Sequence, residues 1–318
     1  MGAPDRVVRY ARSFAVLKEE DADMWDDRTP DETIEIAVDG YKVVAYSFGT
    51  GDEVLFCLNG GPGLACDYVR DAHSWMADKG YRIVAFDQLG CGKSDRPDDS
   101  SLWTIERYVE EVETVRTELG LGRVHLYGQS WGTWLGMEYA LKYTDTFKTF
   151  VLANGAGDIP HLVSELDRLR SALGSETVKM MKRHEAEGTL DHPEYQAAVT
   201  LLNYRHVCRL DTWPDAVKRS LSDWNMAPYM AIQGPNEFCY TGSIKDKIWL
   251  PELHRITQPA LVLSGMHDEL TPACSAKIHQ ALPNSEIRIF KNASHLPMWE
   301  EPGPYFETLL GFLDRNRG

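Results

Sequence analysis

The sequence predicts an α/β fold in which a mostly parallel central sheet carries helices on both faces and is interrupted by one inserted helical block. Three observations predict it. Short apolar runs rich in β-branched and aromatic residues alternate with amphipathic stretches from Val54 to Ala153, as buried parallel strands and their covering helices require. That alternation stops near Gly155, and about a hundred residues of helix and loop pattern follow. Strand and helix then alternate again from Pro259 to the C-terminus.

Residues 1 to about 30 are polar and charged, end at Thr29-Pro30, and read as an extension with a short helix around Arg6–Lys18. Thr33–Val38 and Tyr41–Phe48 are β-rich and flank Asp39-Gly40, a hairpin signal, because both turn positions of a tight hairpin need positive φ. The next strands are Val54–Leu58, Arg82–Phe86, Val124–Tyr127 and Thr149–Ala153, with helices over Thr104–Leu119 and Trp131–Tyr143. The block after Gly155 reads as helices Ile159–Leu173, Ser175–Glu187, Pro193–Arg209 and Pro214–Asn225. Strand Ala260–Ser264, helix Ala273–Leu282, strand Glu286–Phe290 and helix Tyr305–Asn316 complete the chain. The expected organisation is an extension over 1–30, a core domain from 31–154 and 255–318, and a helical cap over 155–254.

The 318 residues, 43% hydrophobic, suffice to bury a full core. No apolar run approaches the roughly 20 residues that span a bilayer, and the first 25 residues hold no sustained apolar stretch, so the expected compartment is the cytoplasm and no membrane partner is expected. The six cysteines lack C-x-x-C spacing and are expected to be reduced thiols. A net charge of −15 disfavours nucleic acid as a partner and is compatible with a cationic substrate.

Chemistry concentrates in loops that follow strands. Gly128-Gln129-Ser130-Trp131-Gly132 comes directly after the strand VHLY and opens a helix. In that setting G-x-S-x-G is a nucleophile elbow, with small residues flanking a serine held at a strained turn. A serine needs a base, and the base needs an orienting acid. Asp268 follows the strand ALVLS and His295 follows EIRIF, which gives the order Ser, Asp, His of the α/β-hydrolase fold. His267 competes for the base role but precedes the acid in the chain. Oxyanion donors are expected from the N–H of Trp131 and from the loop Asn59-Gly60-Gly61-Pro62-Gly63, where Gly61 is the chosen donor. Gly90-Cys91-Gly92-Lys93-Ser94 imitates the end of a phosphate loop, but Asp87 stands where the first glycine is needed. Neither an H-E-x-x-H motif nor a Cys/His cluster is present, so no metal and no cofactor is expected.

The segments LNGGPG, FDQLGCGKSD, YGQSWG, GPNEF with a following TG, SGMHDELTP and ASHLPMWEEP resemble the proline iminopeptidases and the tricorn-interacting aminopeptidase. The resemblance runs in order from about Thr33 to the C-terminus. It implies cleavage, through an acyl-enzyme, of an amide after an N-terminal amino acid that is often proline and has a free α-amino group. It also implies that Glu237, from the cap, and Glu269, beside Asp268, hold the substrate's α-ammonium, with Gly60 among the substrate-binding residues. The expected partner is thus a short peptide or an aminoacyl small molecule. Asn59 departs from the family, which commonly has histidine there, so hydrogen bonding around that loop must differ. Trp213, Trp224, Tyr229 and Phe238 are candidates for the pocket wall. Two rivals use the same residues differently: an esterase or lactonase without amine recognition, and a ligand receptor on the same fold. The oligomeric state is not legible in the sequence.

Overall fold

The structure is a computed structural model and describes residues 28–318. The helix expected around Arg6–Lys18, and nearly all of the extension, lie outside the described residues.

Eight strands form one sheet: β1 (Glu32–Val38), β2 (Tyr41–Phe48), β3 (Glu53–Leu58), β4 (Tyr81–Asp87), β5 (Val124–Gln129), β6 (Phe147–Ala153), β7 (Ala260–Gly265) and β8 (Ser285–Phe290). Their order is β1-β2-β4-β3-β5-β6-β7-β8. β1 and β2 form the antiparallel hairpin expected at Asp39-Gly40, where both residues take positive φ. β2 runs antiparallel to β4, and every pairing from β4 through β8 is parallel.

Side chains alternate between two apolar layers because successive strand residues face opposite ways. Val43, Ala45, Phe56, Leu58, Val84 and Phe86 join one layer, while Val44, Tyr46, Leu55, Cys57, Ile83 and Ala85 join the other. Helices α1 (Asp67–Ser74), α2 (Ile105–Glu118) and α3 (Trp131–Lys142) cover the first half of the sheet. The helical block contains α4 (Ile159–Ser171), α5 (Ser175–Glu187), α6 (Pro193–His206), α7 (Asp215–Ser222) and α8 (Met226–Ile232). The helix expected over Pro214–Asn225 is α7 alone and ends at Ser222. Trp224 and Asn225 lie outside it, and the Asn225 side chain accepts from Ala227 N–H to start α8, a helix not expected from the sequence. The two ends of the block are pinned together, with Ile159 N–H donating to Lys247 O (3.0 Å) and Trp249 N–H to Gly157 O (2.8 Å). After β7 come α9 (Pro272–Ala281), a short α10 (Pro297–Glu300) and α11 (Pro302–Arg315).

The order of strands decides where a site can lie. The chain leaves β3 toward β4 on one side and returns to place β5 on the other, so the direction of winding reverses between β3 and β5. Loops at the C-terminal ends of such strands diverge and leave a crevice. The two loops at this crevice are Asn59–Gly63 and the turn at Ser130.

Candidate active site

Ser130 sits between β5 and α3 with φ +55° and ψ −122°, a conformation that L-residues rarely adopt. Its neighbours are small by necessity. A Cβ on Gly128 would lie 2.2 Å from the Gly132 carbonyl oxygen, and one on Gly132 would lie 2.1 Å from that of Leu58. Thr133 locks the turn, its N–H (2.8 Å) and hydroxyl (2.7 Å) both donating to Ser130 O. As the first residue of α3, Trp131 has an N–H without an intrahelical acceptor, and the positive end of the helix stands behind the serine.

His295 and Asp268 come together from loops that follow β8 and β7. His295 Nδ1 lies 2.8 Å from Asp268 Oδ1. A carboxylate only accepts, so this contact puts the proton on Nδ1 and leaves Nε2 free to take one. Burial alone would lower the His295 pKa, but the Asp268 carboxylate together with Glu237 and Glu300 outweighs it, and the net shift is upward. His267 does not line the cavity that holds Ser130 and His295, and the charged groups that act on it are Arg209 and Glu301. Ser130, His295, Gly60, Gly61 and Glu237 all line one cavity of about 120 Å³.

The loop Asn59–Gly63 is braced from several directions. Asn59 is buried, and its Nδ2 donates to Gly60 O (2.9 Å) and Leu64 O (2.7 Å). That is how this chain arranges hydrogen bonds where the family commonly has histidine. Gly60 N–H donates to the Tyr68 hydroxyl (2.6 Å), which in turn donates to Gln129 Oε1. The Gly60 N–H is thus occupied, while its carbonyl oxygen keeps a second lone pair. Gly61 has φ +115° and keeps its N–H out of these contacts.

Glu237 and Glu269 lie near His295 and Asp268. Glu269 is completely buried, neither of its carboxylate oxygens has a hydrogen-bond partner, and Oε1 is 3.8 Å from His295 Nε2. Burial raises its pKa well above the ordinary glutamate range, and Glu237 and Asp268 raise it further. Glu237 accepts from Gln233 Nε2 (2.9 Å) and from the Tyr229 hydroxyl. Burial raises its pKa too, against the opposing pull of Gln233, His295 and Tyr229. The charges of Glu237 and Glu269 repel each other, and a cation near both would relieve that repulsion. Of the four aromatic candidates, Trp213 and Trp224 line the cavity, Tyr229 backs Glu237, and Phe238 is core.

Several supporting residues were not found from the sequence. Asn154, at φ +56°, donates from Nδ2 to Asp268 Oδ2 (2.6 Å) and to Ser294 O (3.2 Å). Gln129 Nε2 donates to His295 O (3.0 Å). Glu300 accepts from the N–H groups of Ser294 (2.7 Å) and Leu296 (3.3 Å), on either side of His295, and from Arg209 N–H (2.7 Å). Gln129 lies inside the elbow motif and Glu300 inside ASHLPMWEEP, so both segments were noticed without their roles. Among the described residues, His184, His192 and Glu194 could jointly hold a metal ion, but none lines the cavity and Arg183 already pairs with Glu194. All six cysteines are free. Among the described residues, no helix is long and apolar enough to cross a membrane.

Fold and site define an α/β hydrolase, and a family profile described as alpha/beta hydrolase fold matches residues 53–302. The chain is 36% identical over 263 residues to a proline iminopeptidase of Saccharolobus solfataricus, covering 82% of this chain and 84% of that one. A proline iminopeptidase of Thermoplasma volcanium is 35% identical, with 82% and 89% covered. Among solved structures, VinJ superposes with a TM-score of 0.86 at 29% identity, covering 91% of this chain and all of VinJ. Proline iminopeptidase from Mycobacterium smegmatis gives 0.82 at 29%, with 90% and 98% covered. The chain belongs to the proline iminopeptidase family of α/β hydrolases.

Proposed function

We propose that this hydrolase is a serine aminopeptidase or amidase that removes an N-terminal amino acid with a free α-amino group from a short peptide or aminoacyl small molecule. The observation that carries the reading is Glu269, a fully buried carboxylate with both oxygens unpartnered, 3.8 Å from the imidazole of His295. Buried charges are ordinarily paired, because leaving one unpaired costs several kcal/mol. A substrate ammonium supplies the missing partner, with Glu237 as the second acceptor. The alanine, leucine and proline classes of N-terminal residue all satisfy that requirement.

In this mechanism Ser130 Oγ attacks the carbonyl carbon while His295 Nε2 takes its proton. Asp268 holds the imidazole in the required tautomer and stabilises the imidazolium. Gly61 and Trp131 N–H groups donate to the oxyanion, adding electrostatic stabilisation where charge develops. His295 then protonates the leaving nitrogen, and water releases the acyl group from Ser130 by the same path in reverse. Residues 155–254 act as the cap, because they supply Glu237 and much of the cavity wall over the core formed by 31–154 and 255–318. A matched pair of substrates tests the reading: aminoacyl p-nitroanilides should be cleaved and their N-acetyl counterparts should not. Preference for N-acetylated or neutral esters would instead indicate an esterase using the same triad.

A further inference from the structure

The cavity continues past the reacting groups into a slot whose chemistry is unlike that of the glutamate end. Its walls are Val207 at the end of α6, Trp213, Val217 and Leu221 of α7, Trp224, and Leu296 beside His295. Three contacts fix this segment onto the oxyanion side of the site: Ser220 Oγ accepts from Tyr68 N–H (3.2 Å), Trp224 Nε1 donates to Pro62 O (3.0 Å), and Asn225 N–H donates to Gly63 O (2.9 Å). No lysine or arginine is among the lining residues. The polar atoms there without a partner, Trp213 Nε1 and Asn203 Oδ1, are one neutral donor and one neutral acceptor.

Strand order gives the slot a direction. Glu269 follows β7, on one side of Ser130 at the end of β5, whereas α7, Trp224 and Asn225 are hydrogen-bonded to Pro62, Gly63 and Tyr68, which follow β3, on the other side. In an aminoacyl amide the α-ammonium, the carbonyl and the leaving nitrogen are consecutive along one chain. With the ammonium at Glu269 and the carbonyl at Ser130, the group on the leaving nitrogen is carried toward the β3 side. A free peptide would bring its C-terminal carboxylate into a slot with no cation to meet it, in a cavity that already holds Glu237, and that burial is unfavourable.

Resting on the proposed amine-directed reading, we propose that this slot receives the leaving-group half of the substrate and selects a neutral, apolar amine over an amino acid or peptide that bears a carboxylate. The whole cavity, the glutamate end included, is about 120 Å³, against the roughly 150 Å³ known to accept a benzene ring. Only a small apolar portion next to the leaving nitrogen is therefore enclosed, and the rest lies along the half-buried rim of α7.

The test holds the acyl group constant and varies the amine: L-alanyl benzylamide, L-alanyl hexylamide, L-alanyl-glycinamide and L-alanyl-glycine, compared by kcat/KM on the full chain. The benzylamide and hexylamide should exceed alanyl-glycine by about tenfold or more, with the glycinamide between them. The Leu221→Lys variant, which adds a cation at the half-buried rim of α7, should narrow that ratio by favouring alanyl-glycine. Alanyl-glycine cleaved as well as the benzylamide overturns the proposal. So does a Leu221→Lys variant that changes preference among Pro, Ala, Leu and Phe as N-terminal residues while the amine ratio stays fixed, because the slot would then hold the acyl side chain. Cleavage of N-acetyl esters with no turnover of any alanyl amide overturns the amine-directed reading itself, and is told apart because every member of the series then fails alike.

Discussion

Replacing Glu269 with glutamine should weaken catalysis and strengthen the fold at once. The side chain keeps its size, so packing changes little, while the charge disappears. A hydrogen bond to a charged group contributes about 1.5–3 kcal/mol, so loss of the ammonium's carboxylate partner should lower kcat/KM for free-amine substrates by roughly 10- to 150-fold. Without substrate the effect on stability has the opposite sign. Both Glu269 oxygens are buried and unpartnered, and such desolvation costs on the order of 1–3 kcal/mol. The Glu269→Gln variant should therefore melt a few degrees higher, at about 2 °C for each kcal/mol recovered in a chain of this size. The pH dependence follows from the raised pKa of Glu269. The folded protein binds this proton more tightly than the unfolded chain does, so stability is intact below the unfolded value near 4.3 and falls as pH rises through the folded value. The melting difference between variant and parent should accordingly widen with pH across that window. Thermal melts from pH 4 upward, paired with kinetics on L-alanyl p-nitroanilide and on p-nitrophenyl acetate, read both effects. Equal losses on the amide and the neutral ester, or a variant that melts lower at every pH, would refute the reasoning.

Other perturbations address the remaining parts of the site. Asp268→Asn should cut kcat by several orders of magnitude, as loss of the orienting carboxylate does in other serine triads, with KM little changed in steady-state assays. Tyr68→Phe strands the buried Gly60 N–H and should destabilise the fold by about 1–3 kcal/mol in urea titrations, with a smaller loss of kcat through a loosened oxyanion loop. The raised pKa of His295 places the acidic limb of the kcat/KM profile above the ordinary histidine value near 6.5, because the free base is the active form. Glu300→Gln removes one of the charges that raise it, so that limb should move toward lower pH in the variant's profile.

How much of this was legible in the sequence depended on the range of the interactions. The strands were readable because their apolar runs are local, and the hairpin because Asp39-Gly40 needs positive φ. Ser130 was readable because the elbow forces glycines at 128 and 132, where any Cβ would strike a carbonyl oxygen. Chain order then pointed to Asp268 and His295. The bracing residues were not readable, since Tyr68 meets Gln129 across 61 positions and Asn154 meets Asp268 across 114. Nothing local requires a tyrosine at 68, and only the Asn154-Gly155 pair after β6 hinted at unusual backbone. α7 stops three residues short of the expected Asn225, since Trp224 and Asn225 suit a helix pattern while their contacts with Pro62 and Gly63 pull them out of one, and α8 was not expected at all. Helix propensity is a weak prior, and tertiary contacts overrode it there. The unpartnered state of Glu269 belongs to the packed structure alone.

The central claim is that Ser130 forms an acyl-enzyme with substrates that carry a free α-amine. Acid quenching within the first turnovers of an L-alanyl p-nitrophenyl ester, followed by intact-mass and peptide mapping, tests it most directly. The account predicts an alanyl adduct on the peptide that contains Ser130, much reduced with the N-acetylated ester and absent from Ser130→Ala. An adduct on another residue, or full turnover by Ser130→Ala, would contradict it.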